Sequence, residues 1–408
     1  MQPAVNSPDN PSPKEPIASE SLNGRSRVPV LGTVATLDRE IVTDPAVFKA
    51  LATEWASLQS RCDGSSVFMR WEWHYTWWQV YAGEHDHLHI ITWRRDGELV
   101  GLLPLYRQAC GIVPGRACLR LVGTGELAID EVATEYGDVL VDVSVQAQVA
   151  TLAANYLQQF NGWTRIEMSC LMENSVLHQA LLAGGRSHVR QRSAGLRYRL
   201  SLPGNESDYL DSLGASRAKR IRRSQRAAEK DGGLVRSSIN SPDCFDSAFR
   251  ELAELNHERQ AHMKRKSVFA SRRFREFHQK LSRQLFAEGA ADIARFHVGT
   301  RLLAVLYCYY DADSCYYYQS GFTRKDSNRY MPLTLAHLME MQRSREAGRQ
   351  YYDFMRGEPP TYKEEFNCET HAMVDVSVYR WRWQCSLARA NRQLRARARK
   401  ALGRIRRQ

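Results

Sequence analysis

A repeated strand pair constrains this chain more than any other feature. His89-Ile90-Ile91-Thr92-Trp93, a turn at Asp96-Gly97, and Leu99-Val100-Gly101-Leu102-Leu103-Pro104-Leu105 read as a β-hairpin. The device returns in the second half as Ile293–Val298, a turn at Gly299-Thr300, and Leu302–Tyr310. Helical patterns precede each copy. Before the first, Asp44-Pro45 is a capping start, followed by Val47, Leu51, Trp55 and Leu58 at helical spacing. The aromatic run Trp71, Trp73, Tyr75, Trp77, Trp78, Tyr81 then reads as a buried helix serving the core. Before the second copy, Asp243–His262 and Ser271–Glu288 carry helical periodicity. Further strands are expected near Leu119–Val122, Val139–Val143 and Thr164–Cys170, and helices at Ser144–Phe160 and Asn174–Ala183. Alternating helices and strands with a recurring hairpin predict an α+β or α/β protein of two related lobes.

A length of 408 residues accommodates two such lobes, each with its own core. The expected boundaries are a disordered segment over 1–28, an N-terminal lobe over 32–200, a second lobe over 201–380 and a tail over 381–408. The first segment is rich in Pro, Ser and Asn and poor in large apolar groups. The net charge of +12 is local: residues 380–408 hold 11 Lys/Arg and no acid, and the rest balances 46 basic against 45 acidic residues. In that tail Trp381, Trp383, Leu387, Leu394, Ala398, Leu402 and Ile405 recur at helical spacing among arginines. A basic amphipathic helix on an anionic membrane surface is expected there, ahead of nucleic acid as the partner. Nine scattered cysteines without CxxC or zinc spacing fit reduced thiols in the cytoplasm, and no metal site is expected, His257 and His262 included. The chain shows no secretory signal and no apolar run of membrane-spanning length. GxSxG, Walker A and GxGxxG are absent.

Several segments carry a family resemblance. Tyr209-Leu210-Asp211-Ser212-Leu213 leads into an Arg-rich helix, Ser216–Glu229. A Tyr-rich strand, Cys315-Tyr316-Tyr317-Tyr318-Gln319-Ser320-Gly321-Phe322, precedes a helix opened by Pro332 and Leu335. Tyr352-Asp353-Phe354-Met355-Arg356-Gly357-Glu358 follows, then Tyr362-Lys363-Glu364-Glu365-Phe366. The Asp-Phe-x-Arg-Gly-Glu element with Tyr-Lys after it is the most specific piece, and the Gly97-x-Leu-Val-Gly-x-x-Pro-Leu hairpin fits the first lobe. Over about residues 35 to 380 the chain resembles the CelD/BcsL-like GNAT-fold acetyltransferases of cellulose and exopolysaccharide synthesis. These are similar in turn to FemAB-type transferases, which are built from two GNAT-like lobes and take an aminoacyl group from aminoacyl-tRNA.

The resemblance implies transfer of an acyl group from acetyl-CoA or another acyl-CoA to an amine or hydroxyl, on a small-molecule or saccharide acceptor. The alternatives are an aminoacyl-tRNA-dependent transferase and a catalytically degenerate scaffold for a membrane synthase. In a GNAT site the acyl-CoA lies between two splaying strands whose unpaired backbone groups hold the pantetheine amides. Here those strands are Cys315–Phe322, with Gln319 and Gly321 toward the cofactor, and Tyr351–Met355. The helix at Pro332 aims its N-terminus at the pyrophosphate, with Arg324, Lys325 and Arg329 replacing the usual Gly-rich turn. Asp353 is the candidate base or acceptor-orienting group, or else a turn cap paired with Arg356. Lys363 is a candidate charge partner, Tyr318 a candidate acid for the thiolate, and Gly357 a positive-φ turn residue. Arg217, Arg220, Arg356, Gly357 and Tyr362 complete the expected acceptor side.

Overall fold

In the computed structural model, residues 36–109, 117–183, 188–239, 241–262, 266–325, 327–381 and 386 are described. The expectations for residues 1–28 and for the tail helix lie outside them. The chain opens with β1 (Asp38–Val42), α1 (Pro45–Ala50), α2 (Ala52–Gln59) and α3 (Trp71–Tyr81). Asp44 caps α1 through Ala46 N, with Pro45 in the first turn as read from sequence. The helix breaks at Leu51, however, and the changed phase buries Phe48 while leaving Val47 42% exposed.

The hairpin β2 (His87–Arg95) and β3 (Glu98–Ala109) follows, then β4 (Ala117–Leu121), a two-residue β5 (Leu140–Val141), α4 (Gln146–Gln159), β6 (Arg165–Met172) and α5 (Val176–Leu182). Asp96 and Gly97 both take positive φ, which a two-residue hairpin turn requires. Next come β7 (His188–Ser201), α6 (Glu206–Ser212), α7 (Ala215–Lys230), β8 (Leu234–Ser237), α8 (Phe245–His262) and α9 (Arg272–Leu285). The chain then forms β9 (Ala291–Val298), β10 (Arg301–Tyr310), β11 (Ser314–Phe322), α10 (Ser327–Tyr330), α11 (Pro332–Glu346), β12 (Tyr351–Gly357) and β13 (Glu369–Tyr379). Among the described residues no helix is long and apolar enough to cross a membrane.

All strands join one sheet in the order β1-β2-β3-β4-β6-β13-β7-β12-β11-β10-β9-β8, with β5 beside β3. The order repeats outward from the central β13–β7 pair. On one side β6 runs parallel to β4, followed by antiparallel β3, β2 and β1. On the other side β12 runs parallel to β11, followed by antiparallel β10, β9 and β8. The last strand of each half crosses the middle: β7 pairs with β12 and β13 pairs with β6. The two lobes read from the hairpin recurrence are therefore real and share one sheet.

One face of the sheet is covered across both lobes by α1–α3 together with α8 and α9, in a core that includes Trp55, Trp73, Trp77, Phe249 and Phe277. The aromatic helix α3 is the hinge of this packing. Trp73 and Phe277 of α9 meet edge-on at 5.0 Å, and the Trp73 indole N–H donates to Thr134 Oγ1 at 2.8 Å. The other face is covered in two patches, by α4 and α5 on the first lobe and by α6, α7 and α11 on the second.

Candidate active site

The parallel pair β11–β12 holds register only over Ser314–Tyr316 against Tyr351–Asp353. Beyond that the pairing ends and the strands part. Two irregularities drive them apart. β11 slips register against β10 between Tyr307 and Cys308, and β12 slips against β7 between Asp353 and Met355, where Met355 takes φ 61°. The left-handed residue is thus Met355 and not Gly357. Gly357 serves close approach instead: a Cβ there would lie 3.0 Å from the Tyr198 ring and 3.3 Å from Lys363 Cδ.

A buried ionic cluster forms where β12 bends. Asp353 is 0% exposed, and three hydrogen bonds and an ion pair hold its carboxylate. Arg197 on β7 donates from Nε (2.7 Å) and forms the ion pair through Nη2 (2.6 Å), Tyr136 Oη donates at 3.1 Å, and Met355 N donates at 2.6 Å. Asp353 is therefore a turn cap, but its ion-pair partner is Arg197 rather than Arg356. Arg197 also lies over the Tyr136 ring at 4.3 Å. With both oxygens engaged, Asp353 suits holding Arg197 and Tyr136 better than abstracting a proton.

Lys363 reaches under the bend. Its Nζ donates to the carbonyls of Phe354 (2.5 Å), Met355 (3.3 Å) and Arg356, which satisfies groups that the slipped register leaves without strand partners. Burial lowers its pKa to about 8, with Glu135 and Asp353 opposing the shift. Glu135 is the residue that sequence reading missed. It is buried, its Oε2 accepts from Arg356 N at 2.9 Å, and its Oε1 lies 3.7 Å from Arg356 Nε. Burial raises its carboxyl pKa, and Lys363 and Arg356 pull it back. The surrounding backbone is strained: Ala133, Tyr136 and Cys170 join Met355 at positive φ without being glycine, and Tyr136 N donates to Cys170 O. Such outliers persist only where surrounding structure enforces them, and they concentrate at working sites.

A cavity of about 260 Å³ opens on this cluster, lined by Arg197 and Tyr136 together with Asp138, Gln146, Asn174 and Ser65–Ser66 among others. The Ser65 and Ser66 hydroxyl oxygens are buried without a hydrogen-bond partner. On the opposite side of β12, His337 of α11 is fully buried against Tyr317, Phe354 and Phe366. Its Nδ1 meets Tyr352 Oη at 2.8 Å, its Nε2 has no partner, and burial lowers its pKa to about 3.

The remaining predicted residues scatter. Tyr318 is buried in the α3–α8–α9 core, where its hydroxyl donates to Val132 O (2.7 Å) and meets His278 Nε2 (3.1 Å). Gln319 pairs across to Tyr307, and Gly321 lies under α8. Pro332 opens α11 behind Met331, which takes φ 46° and supplies no side-chain cap, so the first N–H groups of this 15-residue helix are uncapped by it. Arg324 is exposed near that end. Arg329 is bound to Asp231, which also accepts from Tyr330 Oη. Arg217 bonds Glu365 and lies over Phe366 at 5.3 Å; Arg220 is exposed on α7. Arg356 faces Glu135 and Glu131, and Tyr362 lies in the short 3₁₀ turn Tyr362–Phe366 that carries Lys363. Asp353, Lys363, Arg356, Gly357 and Tyr362 come together; Tyr318, Arg324, Arg329 and Arg220 do not join them.

Residues 215–364 match the family model described as acetyltransferase (GNAT) domain, a span running from α7 through Lys363. Among solved structures the chain is similar to FemX, at 12% identity and a TM-score of 0.58, over 83% of this chain and 96% of that one. It is also similar to a C-terminal domain provisionally assigned to a lysylphosphatidylglycerol synthetase of Agrobacterium fabrum. That match has 12% identity and a TM-score of 0.50, over 86% of this chain and 97% of that one. A Bacteroides thetaiotaomicron protein of unknown function matches at 12% identity and a TM-score of 0.50, over 83% of this chain and all of that one. No curated protein sequence matches the chain. Residues 215–364 of the second lobe are thus similar to GNAT acetyltransferase domains, and the whole mixed α/β architecture is a fold shared with these structures.

Proposed function

We propose that the protein transfers an acyl group from acyl-CoA to a polar small-molecule or saccharide acceptor at the bend of β12. The observation that carries this reading is Glu135, a buried carboxyl of raised pKa held between Arg356 and Lys363 beside the parted strands. Acyl transfer needs a base for the attacking amine or hydroxyl, and a carboxyl made more basic by burial suits that role. The nucleophile attacks the thioester carbonyl as Glu135 takes its proton; the C–S bond then breaks and the thiolate leaves. The uncapped N-terminus of α11, with Arg324 and Lys325 exposed nearby, supports a pyrophosphate there. The polar lining of the 260 Å³ cavity, including two hydroxyls in want of partners, favours a hydroxyl-rich acceptor.

A second donor, aminoacyl-tRNA, is favoured by one feature. α7 exposes Lys219, Arg220, Arg223, Arg226 and Lys230, and its C-terminal cap Asp231 is tied to Arg329 just ahead of α11. That is a basic surface beside the donor end. The test for the main reading is thiol release from acetyl-CoA and longer acyl-CoAs against panels of amines and saccharides, comparing wild type with Glu135→Gln. The variant is expected to lose about 10²- to 10⁴-fold in turnover while keeping its fold. Full activity in the variant would remove Glu135 from the chemistry.

A further inference from the structure

The parted strands leave β11 with a free edge, and one position on it is already occupied. Thr323 N donates to Leu303 O, so residues 323, 321 and 319 direct their backbone groups at β10. By strand alternation Ser320 directs its own toward β12, which has diverged by that point. The Ser320 carbonyl is nevertheless satisfied: Asn256 of α8 donates to it from Nδ2 at 3.0 Å. Asn256 is buried, and its Oδ1 accepts from Ser267 Oγ at 3.0 Å, which fixes which end of the carboxamide faces the strand. Gly321 permits the approach. A Cβ there would fall 2.5 Å from Leu255 Cβ, 2.8 Å from Leu252 O and 3.0 Å from Asn256 N, so no larger residue lets α8 come this near.

We infer that Asn256 is a donor-selecting residue whose carboxamide holds the place of an amide on the donor's carrier arm. The inference rests on the acyl-CoA reading above. A buried strand carbonyl without a partner is costly, so where β12 no longer pairs with β11 another donor must meet it, and Asn256 is that donor. A primary amide N–H on a carbonyl is the same contact that a secondary amide of pantetheine would make there. A carrier arm bearing an amide N–H at this level exchanges one N–H···O bond for another when Asn256 swings aside. An arm without it cannot repay the displaced contact and is disfavoured. The link to Ser267 adds to the threshold, because the swing also breaks that bond.

Calorimetry on the full chain tests this with two ligands, acetyl-CoA and adenosine 3′,5′-bisphosphate; the second carries the nucleotide phosphates without the arm. Asn256→Ala removes the bond that acetyl-CoA must displace, and a net hydrogen bond converts to roughly a threefold to tenfold tightening. Binding of the bisphosphate should not change. Ser267→Ala, which leaves the Ser320 contact intact, should shift acetyl-CoA affinity in the same direction by less, and it guards against misfolding of the first variant. Unchanged or weaker acetyl-CoA binding in both variants overturns the inference while leaving the acyl-CoA reading intact. Equal shifts for both ligands overturn it as well. Failure of wild type and variants alike to bind acetyl-CoA removes the donor reading, and the inference falls with it.

Discussion

Arg197→Met isolates the ion pair at the heart of the site. Asp353 is 0% exposed and Arg197 14%, so truncating the cation strands a buried carboxylate. Breaking such a pair costs about 3–5 kcal/mol. Tyr136 Oη and Met355 N still donate to Asp353, which places the expected loss near the lower end, at about 3 kcal/mol. The variant escapes by protonating Asp353. With no cation beside it, the buried carboxyl holds its proton to a higher pH than it does in the unfolded chain. A variant that holds this proton more tightly when folded than when unfolded has its deficit relieved at acid pH and fully developed at neutral pH. Urea unfolding of wild type and variant at pH 4.5 and pH 7.5 reads both quantities. Adding Asp353→Asn to Arg197→Met should restore stability at pH 7.5, because the double variant buries no charge and keeps an acceptor for Tyr136 and Met355. A loss below 1 kcal/mol at pH 7.5, an equal loss at the two pH values, or a double variant worse than the single one would refute the reasoning.

Two further outcomes follow from neighbouring residues. Lys363→Met should destabilise the fold by removing the donors to Phe354, Met355 and Arg356 carbonyls, and its deficit relative to wild type should widen between pH 8 and pH 10. The wild-type lysine has a folded pKa of about 8 against 10.5 unfolded, so the native chain binds fewer protons in that window and its stability rises with pH; a pH-independent deficit in urea titrations contradicts this. Gly321→Ala should cost about 1–3 kcal/mol by forcing α8 off β11, since the new methyl meets backbone at Leu252 O and Asn256 N. An unchanged unfolding midpoint would mean that the helix yields freely.

The readable parts of this chain are those whose pattern is local. The hairpins announce themselves through a turn that needs positive φ between two apolar runs, and α3, α8 and α9 through apolar spacing. β7 hid because it carries Arg190, Arg192, Arg197 and Arg199, so a central strand reads as a charged linker. β13 was overlooked although Val374, Val376 and Val378 alternate against Asp375 and Ser377 at the period of a half-buried strand.

The site divides along the same line. Asp353, Arg356, Gly357 and Lys363 sit within one short stretch, so a single motif brought them together. Glu135, Tyr136 and Arg197 come from a loop and a strand far away in sequence, and nothing local marks them. What delivers Arg197 to Asp353 is the crossing of β7 into the second lobe, and the crossing of β13 returns the chain to the first. That exchange also explains why this ion pair lies at the junction. The loop carrying Glu135 and Tyr136 belongs to the first lobe and the bend it braces belongs to the second. The two halves of the repeat thus contribute unequally to this buried cluster, the second lobe supplying the parted strands and the first the carboxyl group that accepts from Arg356 N.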